Sequence, residues 1–339
     1  MRTSVSSLMG LLGWIVLFGL FIGPTHIHAA QLQKSERSGA RLTVGFQYML
    51  ANFSGAVPSQ WARVAFDPET SEVYTLNPGV NEIHIFNRQG MEVFGFGGDG
   101  TIVSATDIAV GSGGTIYILA RQFARYGIQV LDFRGRPQAE IHIQNLPSGF
   151  EGFRPDRLEY RNGLFYLLDS AGQQIVAIGA DGEVKLTQDL AKPLLKFSEQ
   201  LDPEKKKTAI NDISGFYVGP RGGIYFTVPT LFRAFLLKPD GSLEMFGESG
   251  SGPGKFGVVS GITADDDGNI YVADRLRSVV LIFNSDFLFL GEFGHRGFRE
   301  QDILVPDDLV LDPSGERIYV SQAGNKGVGV YSISLKQRP

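Results

Sequence analysis

The sequence predicts an all-β protein, and three observations carry this prediction. Runs with the periodicity of long helices are nearly absent from the 339 residues. The 43 glycines, 25 phenylalanines and 11 tyrosines are typical of short strands joined by tight turns. An apolar residue followed by tyrosine recurs at six regularly spaced places. Because 43% of the residues are hydrophobic, the chain can bury a substantial core.

The recurring apolar-tyrosine pair marks a repeating unit. Successive tyrosines of these pairs are 43 to 59 residues apart, which is the length of one propeller blade. The six pairs are Val73-Tyr74, Ile116-Tyr117, Phe165-Tyr166, Ile224-Tyr225, Ile270-Tyr271 and Ile318-Tyr319.

Each unit has the same order of four short strands. In the fifth unit an alternating run at 262–264 precedes the turn 265–269, whose Asp, Gly and Asn residues favour chain reversal. The tyrosine-containing strand, a third strand and an outer strand follow. Four such strands make one blade, so the sequence predicts a six-bladed β-propeller of four-stranded antiparallel blades. The predicted blades are 59–98, 104–150, 154–200, 211–250, 258–295 and 306–333.

The sixth unit has three strands, the last of them at 328–333. Residues 41–50, with the sequence "RLTVGFQYML", precede the first blade and are predicted to supply the fourth strand. This N-terminal strand would close the ring and leave it without a free edge strand. The predicted propeller therefore covers 41–335.

Residues 1–30 have the layout of a secretory signal peptide, and 31–40 read as a linker. Arg2 is followed by an apolar run from Leu8 to Ile22 and then by Ala29-Ala30. The sequence thus predicts a secreted or periplasmic protein with no membrane insertion after cleavage. His28 stands where cleavage favours a small residue, so the alternative is a retained membrane anchor.

Cysteine content and charge narrow the function classes. The chain has no cysteine, so its stability comes from packing rather than from disulfides. Its formal net charge of −5 disfavours nucleic acid, which requires a basic surface.

The segment "GKFG…GITADDDGNIYVAD…VVLIF", strongest within 254–295, resembles the NHL repeat, a family of six-bladed propellers. The resemblance covers essentially 41–335 and implies an interaction module with a protein or glycan partner. The turn with the sequence Gly-Asn-Asn-Arg in that family is degraded here at 78–82, 276–279 and 324–327. This departure weakens any ligand-binding role that the resemblance implies for those turns.

Two motifs favour structural interpretations. Counted from Thr263, the loop with Asp265, Asp267 and Gly268 matches part of a calcium loop, but threonine occupies the first ligand position. Other units place ligand-free turns at the same point, so this loop is predicted to be a turn. The glycines of 95–100 fit a dinucleotide motif, but a loop and strand follow instead of the required helix.

The mouth of the central channel is the predicted site. In a propeller the first strand of each blade lines the axis, and the residues before these strands gather at one opening. Carboxylate oxygens there would suit calcium or a cationic group of a ligand. The alternative is that the aspartates cap backbone N–H groups and are neutralised by arginine. The candidate metal ligands are Asp107, Asp156, Asp212, Asp307 and Asp308.

Basic residues are the candidate partner contacts. Arg63 and Arg157 adjoin the predicted channel mouth, and Lys205, Lys206 and Lys207 lie in the longest insertion, 189–210. This insertion is the one stretch with the pattern of a helix. It is interpreted either as a solvated excursion or as a flap over one propeller face that contacts a partner.

These observations favour an exported, non-catalytic scaffold that binds a protein or glycan partner in the cell envelope through loops on one face. His84, His142 and His295 occupy inequivalent blade positions, and no nucleophile elbow is recognisable. The sequence contains no recognisable cofactor motif, and Ca²⁺ is the candidate ion. The alternative is a calcium-dependent lactonase or esterase-like hydrolase with its site at the channel mouth.

Overall fold

A computed structural model describes residues 41–52, 55–56, 62–122, 125–201 and 212–336. Within these ranges six four-stranded antiparallel sheets are arranged in a ring, which confirms the predicted six-bladed β-propeller. The predicted signal peptide and linker, together with Lys205, Lys206 and Lys207, lie outside the described residues.

The strands follow the chain blade by blade. A first strand β1 (Arg41–Met49) is followed by a small hairpin of β2 (Ala51–Asn52) and β3 (Gly55–Ala56). Blade 1 then consists of β4 (Arg63–Asp67), β5 (Glu72–Asn77), β6 (Glu82–Phe86) and β7 (Glu92–Gly97). Blade 2 consists of β8 (Ala105–Gly111), β9 (Thr115–Gln122), β10 (Arg125–Leu131) and β11 (Pro137–His142). Blade 3 consists of β12 (Arg157–Arg161), β13 (Leu164–Asp169), β14 (Gln174–Ile178) and β15 (Val184–Asp189).

The second half of the ring repeats this order. Blade 4 consists of β16 (Phe216–Val218), β17 (Ile224–Val228), β18 (Arg233–Leu237) and β19 (Leu243–Phe246). Blade 5 consists of β20 (Val259–Ala264), β21 (Ile270–Asp274), β22 (Val279–Phe283) and β23 (Phe289–Phe293). Blade 6 contains β24 (Pro306–Leu311), β25 (Arg317–Gln322) and β26 (Gly327–Lys336).

The ring is closed by the strand that the sequence predicts for this role. β1 pairs with β26 from Arg41 opposite Lys336 to Met49 opposite Gly329 and completes blade 6. The Phe46 ring packs edge-on against Tyr331 at 5.6 Å between centroids. The Tyr48 hydroxyl donates a 2.6 Å hydrogen bond to the Arg88 carbonyl of blade 1. The N-terminal strand thus joins the last blade to the first.

The core lies between neighbouring blades rather than in one central mass. Between blades 1 and 2, for example, Leu76 and Ile83 pack with Ile108 and Ile118, all of them buried. Because each sheet is covered on both faces by its neighbours, the middle strands are apolar on both sides. β22, with the sequence VVLIF, is buried at every position.

The only described α-helix, α1 (Ala191–Leu201), lies in the connection between blades 3 and 4, inside the insertion where the sequence indicates a helix. Leu194 and Phe197 are fully buried, and the Phe197 ring packs against Phe235 of blade 4 at 5.5 Å. This part of the insertion is therefore packed onto the ring and is not a solvated excursion.

The up-and-down order of the strands gives the ring two faces. The upper face carries the connections between blades and the turns between the second and third strands of each blade. Arg275 in such a turn of blade 5 contacts Asp307 at the start of β24, which shows that both kinds of loop lie on this face. The lower face carries the remaining turns.

The closing strand yields a stability prediction. Phe46→Ala removes the ring that packs on Tyr331 and is expected to lower the free energy of unfolding by about 2 kcal/mol, since Phe46 is only partly buried. Urea unfolding measures this loss. Thr43→Ala, on the exposed side of the same strand, is the control and is expected to change stability little. Equal effects of the two substitutions would contradict the packing role of β1.

Candidate functional site

The inner strands of the six blades enclose a central cavity of about 310 Å³. In every blade one inner-strand residue pairs with the repeat tyrosine of the second strand, which makes these six positions equivalent. All six line the cavity and form what we call the middle layer. They are Ala65, Ala109, Glu159, Tyr217, Thr263 and Val310.

Two residues before the middle layer, towards the upper face, lies a charged layer. Around four neighbouring blades the signs alternate in the order Asp308, Arg63, Asp107, Arg157. Blades 4 and 5 have Gly215 and Gly261 at the equivalent positions. A Cβ on Gly215 would collide with the Ser260 carbonyl oxygen, and one on Gly261 would lie 2.7 Å from the Asp307 carbonyl oxygen.

Asp107 and Asp308 make the same pair of hydrogen bonds. Asp107 accepts from the N–H of Ile108 at 2.9 Å and from the N–H of Leu158 in blade 3 at 2.8 Å. Asp308 likewise accepts from the N–H of the residue that follows it, at 3.0 Å, and from Val64 of blade 1 at 3.1 Å. Each carboxylate therefore fastens its own inner strand to the inner strand of the next blade.

The other predicted site residues divide into paired and exposed groups. The buried Asp307 carboxylate lies 3.4 Å from Nη1 of Arg63 and accepts a 3.0 Å hydrogen bond from Nε of Arg275. Asp156 accepts from the N–H of Ser170 and forms a 3.1 Å ion pair with Arg157. Asp212 is exposed and takes no part in this network.

Burial and neighbouring charges shift the titration of the charged layer. Burial raises the pKa of Asp107 to about 6, against the opposing effect of Arg63 and Arg157. Burial also raises the pKa of Asp308. For Arg63 burial acts to lower the pKa, but Asp308, Asp107, Asp307 and Asp156 together raise it above its ordinary value. The layer thus holds mutually compensating charges.

The aspartates at the channel mouth already have partners within the protein. The oxygens of Asp107, Asp308, Asp307 and Asp156 are engaged by backbone N–H groups or guanidinium groups. In the described part of the chain no group of three or more histidines and acidic residues is placed to hold a metal. The calcium site at the channel mouth stays a prediction that a binding measurement has to test.

Glu159 lines the channel but belongs to no recognisable sequence motif. It is the one charged member of the middle layer, lies deep in the protein and presents part of its surface to the cavity. Burial raises its pKa to about 8, with Arg161 acting to lower it and Asp107 and Asp308 to raise it further. Aligning the six repeats on their tyrosines exposes it, because small or uncharged residues occupy the other five positions.

Arg161 and Tyr217 flank Glu159 on the side of the lower face. Nε of Arg161 donates a 3.2 Å hydrogen bond to the Val218 carbonyl, and its guanidinium lies 5.8 Å from the centre of the Tyr217 ring. The Tyr217 hydroxyl donates to the Ala264 carbonyl at 3.0 Å. Arg161 is thus held against the wall of the cavity.

Exposed large apolar side chains occur on both faces and on outer strands of the ring, and five of them lie on loops of the upper face. Phe298, in the connection between blades 5 and 6, is 87% exposed, and Leu276, in a turn of blade 5, is 62% exposed. Three more large apolar residues with substantial exposure occupy loops of the same face, namely Val80, Val103 and Phe232. On the lower face Met91 is 60% exposed and Phe133 is 53% exposed.

No model of a protein family matches the sequence. A stretch of 135 residues is 28% identical to human NHL repeat-containing protein 3 and covers 35% of this chain. The chain is a six-bladed β-propeller with a partial likeness to an NHL-repeat protein. The matched part spans about a third, 36%, of the length of the human protein.

Several solved structures share the fold of this propeller. They are a Bacteroides thetaiotaomicron protein of unknown function (TM-score 0.61, 13% identity, 87% of this chain and 76% of that one), the calcium-binding protein regucalcin from Agrobacterium tumefaciens (0.57, 16%, 83% and 93%) and a gluconolactonase from Xanthomonas campestris (0.54, 15%, 88% and 91%). At these identities the likeness shows the propeller fold alone. Among the described residues of the propeller, no helix is long and apolar enough to cross a membrane.

The hydrogen bonds of Asp107 predict a structural role that an exposed site residue lacks. Asp107→Ala leaves the N–H groups of Ile108 and Leu158 without acceptors and is expected to cost about 2–4 kcal/mol of unfolding free energy. Denaturant unfolding at pH 7 measures this cost. Asp212→Ala is the matched control, with an expected change within about 0.5 kcal/mol. Comparable losses in both variants would contradict the bridging role of Asp107.

The raised pKa of Glu159 predicts a pH dependence. Its folded-state pKa of about 8 lies above the unfolded value, so the stability linked to its bound proton is present below about pH 4.5 and is lost as pH rises through 8. Between these pH values the unfolding free energy of Glu159→Gln should rise relative to that of the wild type by at most about 1.4 kcal/mol per pH unit. Urea unfolding at pH 5, 7 and 9 measures the difference.

Glu199→Gln on the exposed side of α1 is the control for the loss of one negative charge. A stability difference between wild type and Glu159→Gln that stays constant over the three pH values, or that runs in the opposite direction, would show that Glu159 is solvated like a surface carboxylate.

Proposed function

We propose that this propeller is an exported, non-catalytic scaffold that binds a protein or glycan partner in the cell envelope through its upper face. The observation that carries the proposal is the exposure of Phe298 and Leu276 on neighbouring loops of that face. Aromatic and aliphatic anchors of this kind favour a protein over a glycan. Export rests on the layout of residues 1–30 in the sequence.

The loop that carries Phe298 is held firmly. The Lys326 ammonium donates to the carbonyls of Gly297 at 3.3 Å and Arg299 at 2.6 Å, on either side of Phe298. The Asp302 carboxylate accepts from the N–H of Arg299 at 3.0 Å. A large apolar side chain on a fixed loop loses little conformational entropy when a partner covers it, which favours binding.

The Leu276 turn adjoins the Phe298 loop. The N–H of Val305, at the end of the connection that carries Phe298, donates a 3.4 Å hydrogen bond to the hydroxyl of Ser278 in the Leu276 turn. Arg277 in the same turn is paired with Glu292 and donates to the Lys255 carbonyl. The two anchors therefore sit on a continuous, internally bonded surface with charged residues at its rim, as in many protein interfaces.

The proposed surface predicts a loss of partner capture. The double substitution Phe298→Ser and Leu276→Ser is expected to weaken capture at least tenfold, because both anchors are removed. The measurement uses the tagged full-length chain, crosslinking in the cell envelope and quantification of the captured protein or glycan. Phe133→Ser, which removes an exposed phenylalanine from the lower face, is the control. Undiminished capture by the double variant, or equal loss in the control, would refute the upper-face site.

A calcium-dependent hydrolase is the second candidate, because six acidic side chains line the central cavity. The two functions differ in one measurement, the thermal unfolding of the protein with millimolar calcium against excess chelator. A ligand at about 100 times its Kd adds about 2.7 kcal/mol, which shifts the midpoint by a few degrees. The scaffold proposal predicts no shift and no turnover of lactones or esters. A calcium-dependent shift accompanied by lactone turnover would favour the hydrolase.

A further inference from the structure

Glu159 occupies the centre of the cavity without a bonded partner. Among the described residues no hydrogen bond or ion pair reaches its carboxylate, and the nearest guanidinium, that of Arg161, is committed to the Val218 carbonyl and to Tyr217. The side chain is partly exposed to the cavity, so its carboxylate faces the space that a ligand would occupy and has lost part of its hydration without gaining a protein partner. Such a carboxylate can accept a hydrogen bond from a ligand.

The charge of the cavity lining favours a positively charged ligand. Six carboxylic residues line it against three arginines, namely Asp67, Glu69, Asp107, Glu159, Asp307 and Asp308 against Arg63, Arg157 and Arg161. The aspartates of the charged layer and Asp307 are bonded to backbone N–H groups or to arginine. Asp67 and Glu69 accept from the N–H groups of Glu69 and Gly113, so Glu159 is the one of the six for which the described residues supply no hydrogen-bond partner.

The walls around Glu159 fit an organic rather than a metallic cation. The other positions of the middle layer are Ala65, Ala109, Val310, the Tyr217 ring and the polar Thr263. A hard divalent ion needs several oxygen ligands at short range, and Glu159 offers only one carboxylate. An ammonium group needs one strong acceptor, and its alkyl chain gains from apolar and aromatic walls.

We propose that the central channel binds a small organic cation whose primary ammonium group donates a hydrogen bond to the Glu159 carboxylate while its alkyl part packs against Ala65, Ala109, Val310 and Tyr217. The site lies in the middle layer of the channel, apart from the upper-face surface, so it stands or falls independently of the proposed partner binding.

Binding to this site is coupled to proton release. The groups that face Glu159 are Arg157 and Arg161 on its own strand and Arg63, Asp107, Asp308 and Tyr217 on the strands around it, while blade 5 contributes the uncharged Thr263. With its pKa raised to about 8, Glu159 is protonated at pH 7 and gives up that proton when an ammonium group binds. A primary amine keeps its own proton to about pH 10, so affinity should rise from pH 6 to pH 8.

Isothermal titration calorimetry with n-butylammonium chloride and the full-length chain tests the site. We expect millimolar binding at pH 8, at least a tenfold loss in Glu159→Gln, and no loss in Glu199→Gln. At pH 7, titrations in phosphate and in Tris, which differ in ionisation enthalpy, should report the release of about one proton per ligand bound. 1-Butanol, which has the same chain without the charge, should not bind.

A second variant guards against a folding defect in Glu159→Gln. Val310→Phe leaves Glu159 intact and narrows the apolar wall, so it should also abolish n-butylammonium binding, while thermal unfolding reports whether each variant is folded. Absence of n-butylammonium binding to the wild type at pH 8, equal binding by folded Glu159→Gln, or binding without proton release at pH 7 would overturn the proposal.

Discussion

The pairing of β1 with β26 is the interaction on which the rest of the molecule depends. It joins residues nearly three hundred positions apart, so its entropic cost is that of a very long loop and is offset only when all six blades are in place. Once formed, it makes every inner strand the neighbour of two others. The cavity and the order of charges around it follow from that closed ring, since an open stack of blades would leave Arg63 without Asp307 and Asp308 beside it.

Buried charges are tolerated in this ring because their neighbours compensate them. Asp107 and Asp308 replace lost hydration with two backbone N–H groups each, and the alternation with Arg63 and Arg157 leaves little net charge in that layer. Such a network fixes the relative position of adjacent blades and contributes to the stability of their interface. Glu159 lacks both forms of compensation, which distinguishes it from the carboxylates that serve the fold.

The fold could be predicted from the sequence because it rests on repetition: six apolar-tyrosine pairs and recurrent turn residues define the blades, and the alternation in 41–49 identifies the closing strand. The use of each charged side chain could not be predicted. In the sequence Asp107 and Asp212 both precede an apolar inner-strand run, yet Asp107 lies at the charged-layer position and bridges two blades, whereas Asp212 lies three residues before the equivalent Gly215 and is exposed. Glu159 requires the strand register, which a single motif does not contain.

One short turn links the outside of the propeller to its axis. Gly215 and Gly261 contribute no side chain to the charged layer. The Arg275 side chain, in the turn between β21 and β22, extends towards this part of the layer and donates hydrogen bonds to Asp307 and to the hydroxyl of Ser214. The next residue, Leu276, points to solvent. The exposed surface of blade 5 at Leu276 is therefore one residue away from the guanidinium group that bonds the inner ends of blades 4 and 6.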